Sequence, residues 1–443
     1  MQQPTAPKTQ ELWRRNQEFI AGGVFSLNRS IDPVRIFERA KGAYIYDVEG
    51  NRYIDYHAAF APYFLGHCDA DVDEAVIDAV RHSSSLYGAG TTAGEGELAE
   101  LLVKSVPSME QVQVTNTGSE ATSFAIRLSR AVTGRDGLIV MQGGYNGWQD
   151  DVAFNLMDPA DKQRPRQDGK GVELNPITAG IPKGVKQSVY AVQFNDLEAV
   201  ERLLADGEIA AVILEPILQN IGIVKPNPGY LEGLRELCTR YGALLIFDEV
   251  KTGFRHALGG YQSLCRVTPD LSTFGKAVAN GYPLGVIGGK REYMSYVNHP
   301  DPQQRVLIAG TYNGHPVPVA AAIATLKKLS ANQDEIYGHT DRLGKMMEEG
   351  LTEIFGSAGF PFTVARQGSA FVVYFMEGQP ENWLKIAREH DMDKDREYRR
   401  RLIDRGIFHF PIPTKQGSIS FAHKETDITE TLEITEEVVR AGL

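Results

Sequence analysis

Short apolar runs alternate with amphipathic stretches through the middle of the chain. Gln111–Thr115 reads as a short strand that runs into Asn116-Thr117-Gly118-Ser119. A helix then follows, with Ala121, Phe124, Ala125 and Leu128 at the spacing i, i+3, i+4, i+7. The stretches 138–141, 210–214, 243–247 and 271–274 are further apolar runs bounded by turn residues, with helical patterns such as 231–241 between several of them. Runs without polar alternation fit strands buried on both faces, and helical links between them predict an α/β fold built on a mostly parallel sheet. Upstream, two β-like runs flank Asp47-Val48-Glu49-Gly50-Asn51, where Gly and Asn suit a hairpin turn. Beyond residue 330 the order becomes a helix (335–355), paired β-like runs (360–364 and 370–375), another helix, a strand near 418–421 and a terminal helix ending near Val439. The expected organisation is a large domain over 71–325 and a smaller α+β domain over 326–443 that shares its layer with residues 1–70. The polar segment 158–186, rich in Pro, Gly, Lys and Gln, reads as a long loop, either a lid or a surface insertion.

Composition narrows the class. Of 443 residues, 42% are hydrophobic and 23% charged, the balance of a globular chain, which excludes a disordered or fibrous one. A net charge of −11 disfavours nucleic acid and anionic membrane surfaces as partners. Cys68, Cys238 and Cys265 form no C-x-x-C pair, which suits a reducing compartment. The amino-terminal stretch MQQPTAPKTQELWRR has no apolar core of the signal-peptide kind, and no apolar run is long enough to span a bilayer. A cytoplasmic location is the expectation.

In an open α/β sheet the ligand crevice lies beyond the carboxyl ends of the strands, so polar residues that end apolar runs are the candidates for chemistry. Gly118 and Ser119 stand where a strand turns into a helix, either an anion site or a plain N-cap. Asp248 ends GALLIFDEV; a carboxylate there is desolvated and needs a cationic or strongly donating partner. A protonated ring nitrogen of a cofactor meets that need, and so do backbone N–H groups; no His or Cys cluster completes a metal site. Lys276 follows DLSTFG. At a buried strand end its amine loses solvation and becomes nucleophilic, although a lone lysine is more often a surface residue. Glu215 ends the 210–214 run, and Arg29 is either a carboxylate clamp or a solvated loop charge. The stretch 143–147 does not match G-x-G-x-x-G. An anion cradle, a buried carboxylate and a buried lysine, in this order on one sheet, are together the parts pyridoxal phosphate requires.

The blocks NTGSEATSFAIRLSRAVTGRD, GGYNGW, ILEPILQNIG, GYLEGLRELCTRYGALLIFDEVKTGFR, VTPDLSTFGKAVANGYPLGVIGGKRE and AGTYNGHP, with AGGVFSLNR and KGAYIYDVEGNRYIDY before them, cover most of residues 20–320. They resemble the class III (fold type I) aminotransferases, and within these most closely the glutamate-1-semialdehyde 2,1-aminomutases. The resemblance implies a seven-stranded, mostly parallel sheet and pyridoxal 5'-phosphate held by Lys276. It implies that Asp248 pairs with the ring nitrogen, Gly118 and Ser119 bind the phosphate, and Tyr145 and Val250 flank the ring. Asn220 would bond the ring hydroxyl and Glu215 would support that region. Thr311 would reach the phosphate of the neighbouring subunit's cofactor, which implies a homodimer, and Arg29 would bind a substrate carboxylate. Three departures stand out: Asn146 where the family commonly has His, His315 where Asn is usual, and Lys415 at a position counted to face Arg29, where the aminomutase has a glutamate. These favour a transferase that moves an amino group from a carboxylated amine, of β- or ω-amino acid type, to a keto acid or aldehyde in two half-reactions. The rivals are the aminomutase, which needs no external acceptor, and a catalytically silent relative.

Overall fold

The computed structural model of the protein describes residues 6–82 and 84–443; the first five residues of the stretch read for a signal peptide lie outside the described residues. The apolar runs form one seven-stranded sheet. Its spatial order is Gln111–Thr115, Gly285–Gly289, Leu271–Phe274, Leu244–Asp248, Ile209–Leu214, Gly137–Gln142 and Val189–Gln193. All pairings are parallel except those of Gly285–Gly289, which is antiparallel to both neighbours. Every residue of the three strands around the centre, Leu244–Asp248, Ile209–Leu214 and Gly137–Gln142, is buried. Alternate residues serve opposite faces. Val212, Leu214, Leu245 and Phe247 pack towards the helices Leu197–Leu204 and Tyr230–Tyr241, while Ala211, Ile213, Leu244 and Ile246 pack towards Gly118–Thr133. Each such aliphatic side chain contributes about 1.5–3 kcal/mol on burial, so two covered faces explain the unbroken apolar runs.

Two strands of this sheet have weak sequence signals. Val189–Gln193 adjoins the polar 158–186 segment, and Gly285–Gly289 holds three glycines. Those glycines answer to close packing: a Cβ on Gly285 would come 2.3 Å from the Thr117 carbonyl oxygen, and one on Gly289 2.5 Å from that of Asp270.

The amino-terminal strands Phe37–Lys41, Tyr44–Asp47 and Arg52–Asp55 form an antiparallel meander, and Ile407–Phe408 adds to it in parallel beside Arg52–Asp55. Its hairpin turn is held by the Asp47 carboxylate, which accepts the N–H groups of Glu49 and Asn51. A third sheet joins Thr363–Gln367, Ala370–Tyr374 and Gly417–Ser418. Its first strand starts three residues later than the apolar pattern indicates, because Phe360 and Phe362 join Phe355 in an aromatic cluster and Pro361 has no N–H to offer a ladder. The strand expected at 418–421 is confined to Gly417–Ser418. Arg255 is 1% exposed and ties together distant parts of the chain, donating to the carbonyls of Ala61 and Ile419 and to the Ser369 hydroxyl.

The 158–186 segment is not a free loop. Val172 bridges to Ala191 of the edge strand and Phe154 to Pro176, and short 3-10 turns occupy Ala160–Lys162 and Lys183–Gln187. Buried Asn155 donates to Gln142 and to the Glu173 carbonyl, and Trp383 Nε1 donates to the Asp158 carbonyl.

Candidate active site

The carboxyl ends of the parallel strands open on one side, and polar side chains placed just beyond them converge there. Gly118, Ser119, Tyr145, Glu215, Asn220, Asp248, Val250 and Lys276 all line a single cavity, together with Asn146, Gly147 and Lys251. Local chemistry fixes each position. Thr117 caps the helix Gly118–Thr133 through the N–H of Glu120, and Gly134 closes it at φ 66°. Its first N–H groups, those of Gly118 and Ser119, have no partner within the helix and carry its positive dipole end. Gly118 is held to glycine by Val250, whose Cγ1 would lie 2.6 Å from an added Cβ. Val250 also lies 3.3 Å from where Gly275 would carry a Cβ. Lys276 follows Gly275 at φ 49°, a conformation that is uncommon for a residue with a side chain and marks local strain.

Asp248 is 3% exposed. Its carboxylate accepts Asn146 Nδ2 at 2.8 Å, the Val250 N–H at 3.0 Å and the Thr273 hydroxyl at 3.3 Å, and no cation pairs with it among the described residues. Burial pushes it up to about 6, against the Asn146 hydrogen bond and with the Glu215 charge adding to the rise. Burial also lowers the Lys276 amine, opposed by Asp248 and Glu215. Glu215 shapes the floor through the backbone: Oε1 accepts the Tyr145 N–H at 3.0 Å and Oε2 the Gln219 N–H at 2.9 Å. The Tyr145 hydroxyl is within hydrogen-bond reach of Asn28 and Ser119, although burial dominates and raises it.

These residues fit pyridoxal 5'-phosphate. A buried carboxylate short of a cationic partner, a strained lysine with a lowered amine, and a helix start with unpartnered N–H groups match its ring nitrogen, aldehyde and phosphate.

The remaining expectations separate. Arg29, at the end of the turn Leu27–Arg29, is exposed and lines a neighbouring cleft of about 690 Å³ with His57, Tyr63 and Phe410, outside the Lys276 cavity. Thr311 is exposed on the loop before the helix Pro316–Ala331 and lines neither space. Lys415, counted in the sequence to face Arg29, instead donates to the Asn220 carbonyl beside the Lys276 cavity. The intervening turn 411–414 carries it towards the sheet, and no count along a weakly patterned stretch reveals that. Asn146 and Asn28 contribute to the site without a role assigned from the sequence, as does Lys251 in the cavity lining. Asn146 orients Asp248, and its place between Tyr145 and Gly147 was the available signal; Asn28, next to Arg29, reaches Tyr145. No residue of the 158–186 segment lines the cavity.

Comparison with known proteins agrees with this geometry. The family model "Aminotransferase class-III" matches residues 26–412. Glutamate-1-semialdehyde 2,1-aminomutase of Natranaerobius thermophilus is 35% identical over 439 residues, 97% of each chain. Among solved structures, an omega-transaminase from Sphaerobacter thermophilus superposes with a TM-score of 0.89 at 31% identity, over 98% of this chain and 97% of that one. A beta-phenylalanine aminotransferase from Variovorax paradoxus gives 0.84 at 25% identity, over 98% and 94%. The chain belongs to the class III aminotransferases, and it is a pyridoxal 5'-phosphate-dependent enzyme of fold type I.

Proposed function

We propose that the enzyme transfers an amino group from a carboxylated amine of the β- or ω-amino acid type to a separate keto acid or aldehyde, in two half-reactions at the Lys276 cavity. The supporting observation is the 158–186 segment. An enzyme that moves an amino group within one molecule must retain its intermediate through both halves, which calls for a closing lid. Here the candidate lid is fastened along the sheet edge through Val172 and Ala191 and contributes nothing to the cavity wall. The omega-transaminase and beta-phenylalanine aminotransferase neighbours support the same reading of the substrates.

When bound, pyridoxal phosphate supplies an aldehyde carbon that condenses with amines and a ring that accepts the electron pair left by a departing C–H proton. Lys276 holds the cofactor at rest. Once a donor amine has displaced it, the Lys276 amine takes the proton from the substrate carbon and returns it one position along, as base and then acid. Burial lowers its affinity for protons, which favours the first of these steps. Asp248 carries the negative charge opposite the ring nitrogen, held in place by Asn146. Gly118 and Ser119 bind the phosphate, Tyr145 and Val250 exclude water from the two ring faces, and Asn220, on the turn braced by Glu215, meets the ring hydroxyl. Thr311 extends to the phosphate site of the partner subunit in a homodimer. Its exposure, and that of Phe25, Leu27, Leu307 and Tyr312, which are each more than 60% exposed, support that assembly. Three free cysteines support a cytoplasmic location. No helix among the described residues is long and apolar enough to cross a membrane.

The decisive assay omits the acceptor. With a β-amino acid alone the holoenzyme is expected to convert one equivalent and stop, and a keto acid then restores turnover. Sustained conversion of glutamate-1-semialdehyde with no acceptor would establish the aminomutase instead. Arg29 is assigned the donor carboxylate from the rim of the cleft. Arg29→Ala should raise the KM for a carboxylated donor about tenfold or more, the cost of a charge-assisted hydrogen bond. An unchanged KM removes that role.

A further inference from the structure

Behind the 410–415 turn lies a buried ionic cluster that the chemistry at Lys276 does not use. Asp395 and Arg399 stand on the helix Met392–Ile403, and His390 directly follows the helix Trp383–Glu389. The three are 0%, 4% and 6% exposed. Arg399 Nε donates to Asp395 Oδ1 at 2.6 Å, and His390 Nε2 lies 3.1 Å from Oδ2. His390 Nδ1 accepts the Phe375 N–H at 2.9 Å, which places the ring proton on Nε2 and makes that nitrogen the donor to Asp395. Two further bonds reach the ends of the turn. The Thr414 N–H donates to Asp395 Oδ2 at 2.6 Å, and Arg399 Nη1 donates to the Phe410 carbonyl at 3.2 Å.

The backbone of the turn is itself short of donors, because Pro411 and Pro413 have no N–H. Thr414 is held at φ 65°, a left-handed conformation that persists only where its surroundings over-determine it. Burial pushes the Asp395 carboxyl up, but Arg399, His390 and the Thr414 N–H outweigh it and hold it below the ordinary carboxylate range. An ion pair sealed from water adds little stability over an apolar filling of the same volume, yet its directed bonds fix whatever they grip.

What they grip faces the chemistry. At one end of the turn the Phe410 ring stacks on His57 at 4.6 Å and leans on Phe60 at 5.0 Å. All three rings line the cleft that also holds Arg29. At the other end Lys415 donates to the Asn220 carbonyl, and a Cβ on Gly222 would come 2.8 Å from the Thr414 carbonyl oxygen. The turn is thus seated between the ionic cluster and the wall of the Lys276 cavity, with Phe410 as its outward face.

We propose that Asp395, Arg399 and His390 are positioning residues for donor selection: they fix the 410–415 turn and with it the Phe410 wall of the cleft. That the cleft receives the donor rests on the transferase reading given above. Loosening the cluster frees Phe410 to leave His57 and Phe60, which costs a donor that reaches this wall and spares one too small to touch it.

The test compares a large and a small donor on the holoenzyme. Single-turnover loss of the bound cofactor's absorption band, without acceptor, is followed with 3-amino-3-phenylpropanoate and with β-alanine. Arg399→Lys and Asp395→Asn should each lower the phenyl donor relative to β-alanine by about fivefold, the scale of one aromatic contact, mainly through KM. Phe410→Leu should do the same, and adding Arg399→Lys to it should change the ratio little further, because both act on one contact. His390→Gln, whose amide can still donate to Asp395, should keep the wild-type ratio better than His390→Leu. Titration calorimetry with 3-phenylpropanoate and propanoate, which carry no amine to transfer, should show a wild-type preference for the phenyl ligand that the cluster variants lose.

A cluster that merely supports the fold would lower the melting temperature and the fraction of active sites while leaving the donor ratio unchanged. That result overturns the proposal, and so does full additivity with Phe410→Leu. A wild type without preference for 3-phenylpropanoate, or variants that keep it, overturns it as well. If Asp395→Asn fails to fold, Arg399→Lys and the double variant decide. If neither donor changes the wild-type band, the transferase reading of the donor falls, while the calorimetry still judges the positioning role.

Discussion

Lys276→Ala will leave a folded protein with at least about ten-thousandfold less turnover, because one amine both anchors the cofactor and shuttles the proton. The geometry gives this loss a specific signature. Lys276 makes no ion pair among the described residues, so removing its side chain breaks no buried salt bridge. Alanine keeps a Cβ at φ 49°, so the backbone strain stays and thermal stability should shift by only a few degrees. Borohydride reduction followed by mass spectrometry checks the anchoring directly. The wild type should gain the cofactor's mass on the peptide that contains Lys276, and the variant should gain none. A small exogenous amine should restore part of the proton transfer in the variant and none of the anchoring. Substantial activity in the variant would mean that Lys251, the other amine lining the cavity, does this chemistry.

Asp248→Asn is expected to divide activity from stability. It removes the charge opposite the ring nitrogen, and kcat/KM should fall by about 100- to 1,000-fold, the scale for loss of a preorganised electrostatic partner. In the cofactor-free protein the effect on stability has the opposite sign. The Asp248 carboxyl lies at about 6 when folded against 3.8 as a free side chain. The folded state therefore binds its proton more tightly, and the contribution of Asp248 falls as pH rises between about 4 and 6. Above pH 6 the full penalty is present, up to about 3 kcal/mol for a shift of this size. The apo variant should match wild type near pH 4 and exceed it at pH 7, as read by thermal melts. Cofactor should then stabilise the wild type more than the variant, since only the wild type gains a cation beside its carboxylate. Parallel apo melts from pH 4 to pH 7 would refute this account of the site.

How much of this was legible depended on what each residue's neighbours in sequence reveal. Asp248, Glu215 and Lys276 each end or closely follow an unbroken apolar run, so strand ends alone pointed to one crevice, and the structure places them around one cavity. Asn146 and Lys251 sit one or a few residues from recognised positions, but their partners are distant in sequence: Asp248 Oδ2 at the end of another strand and the Gln219 carbonyl on the turn after Glu215. Lys415 needed the path of a short turn to be known. Gly285–Gly289 escaped because its glycines answer to the Thr117 and Asp270 carbonyls, which no apolar pattern records. By composition the 158–186 segment reads as a lid or a surface insertion, and the bridge from Val172 to Ala191 of the edge strand has no signal in that composition.

The parallel pairing of Ile407–Phe408 with Arg52–Asp55 also sets a timetable. Ile54 finds its partner Ile407 about 350 residues later, so at roughly 5–20 residues per second the ribosome keeps them apart for some tens of seconds. The strands of the large sheet, all made by Gly289, can assemble within that interval, whereas the amino-terminal meander must wait with one edge unpaired. Biogenesis of this enzyme therefore includes a vulnerable period, in which the earliest strands to leave the ribosome are among the last to be completed and the most exposed to chaperones and to mispairing between nascent chains.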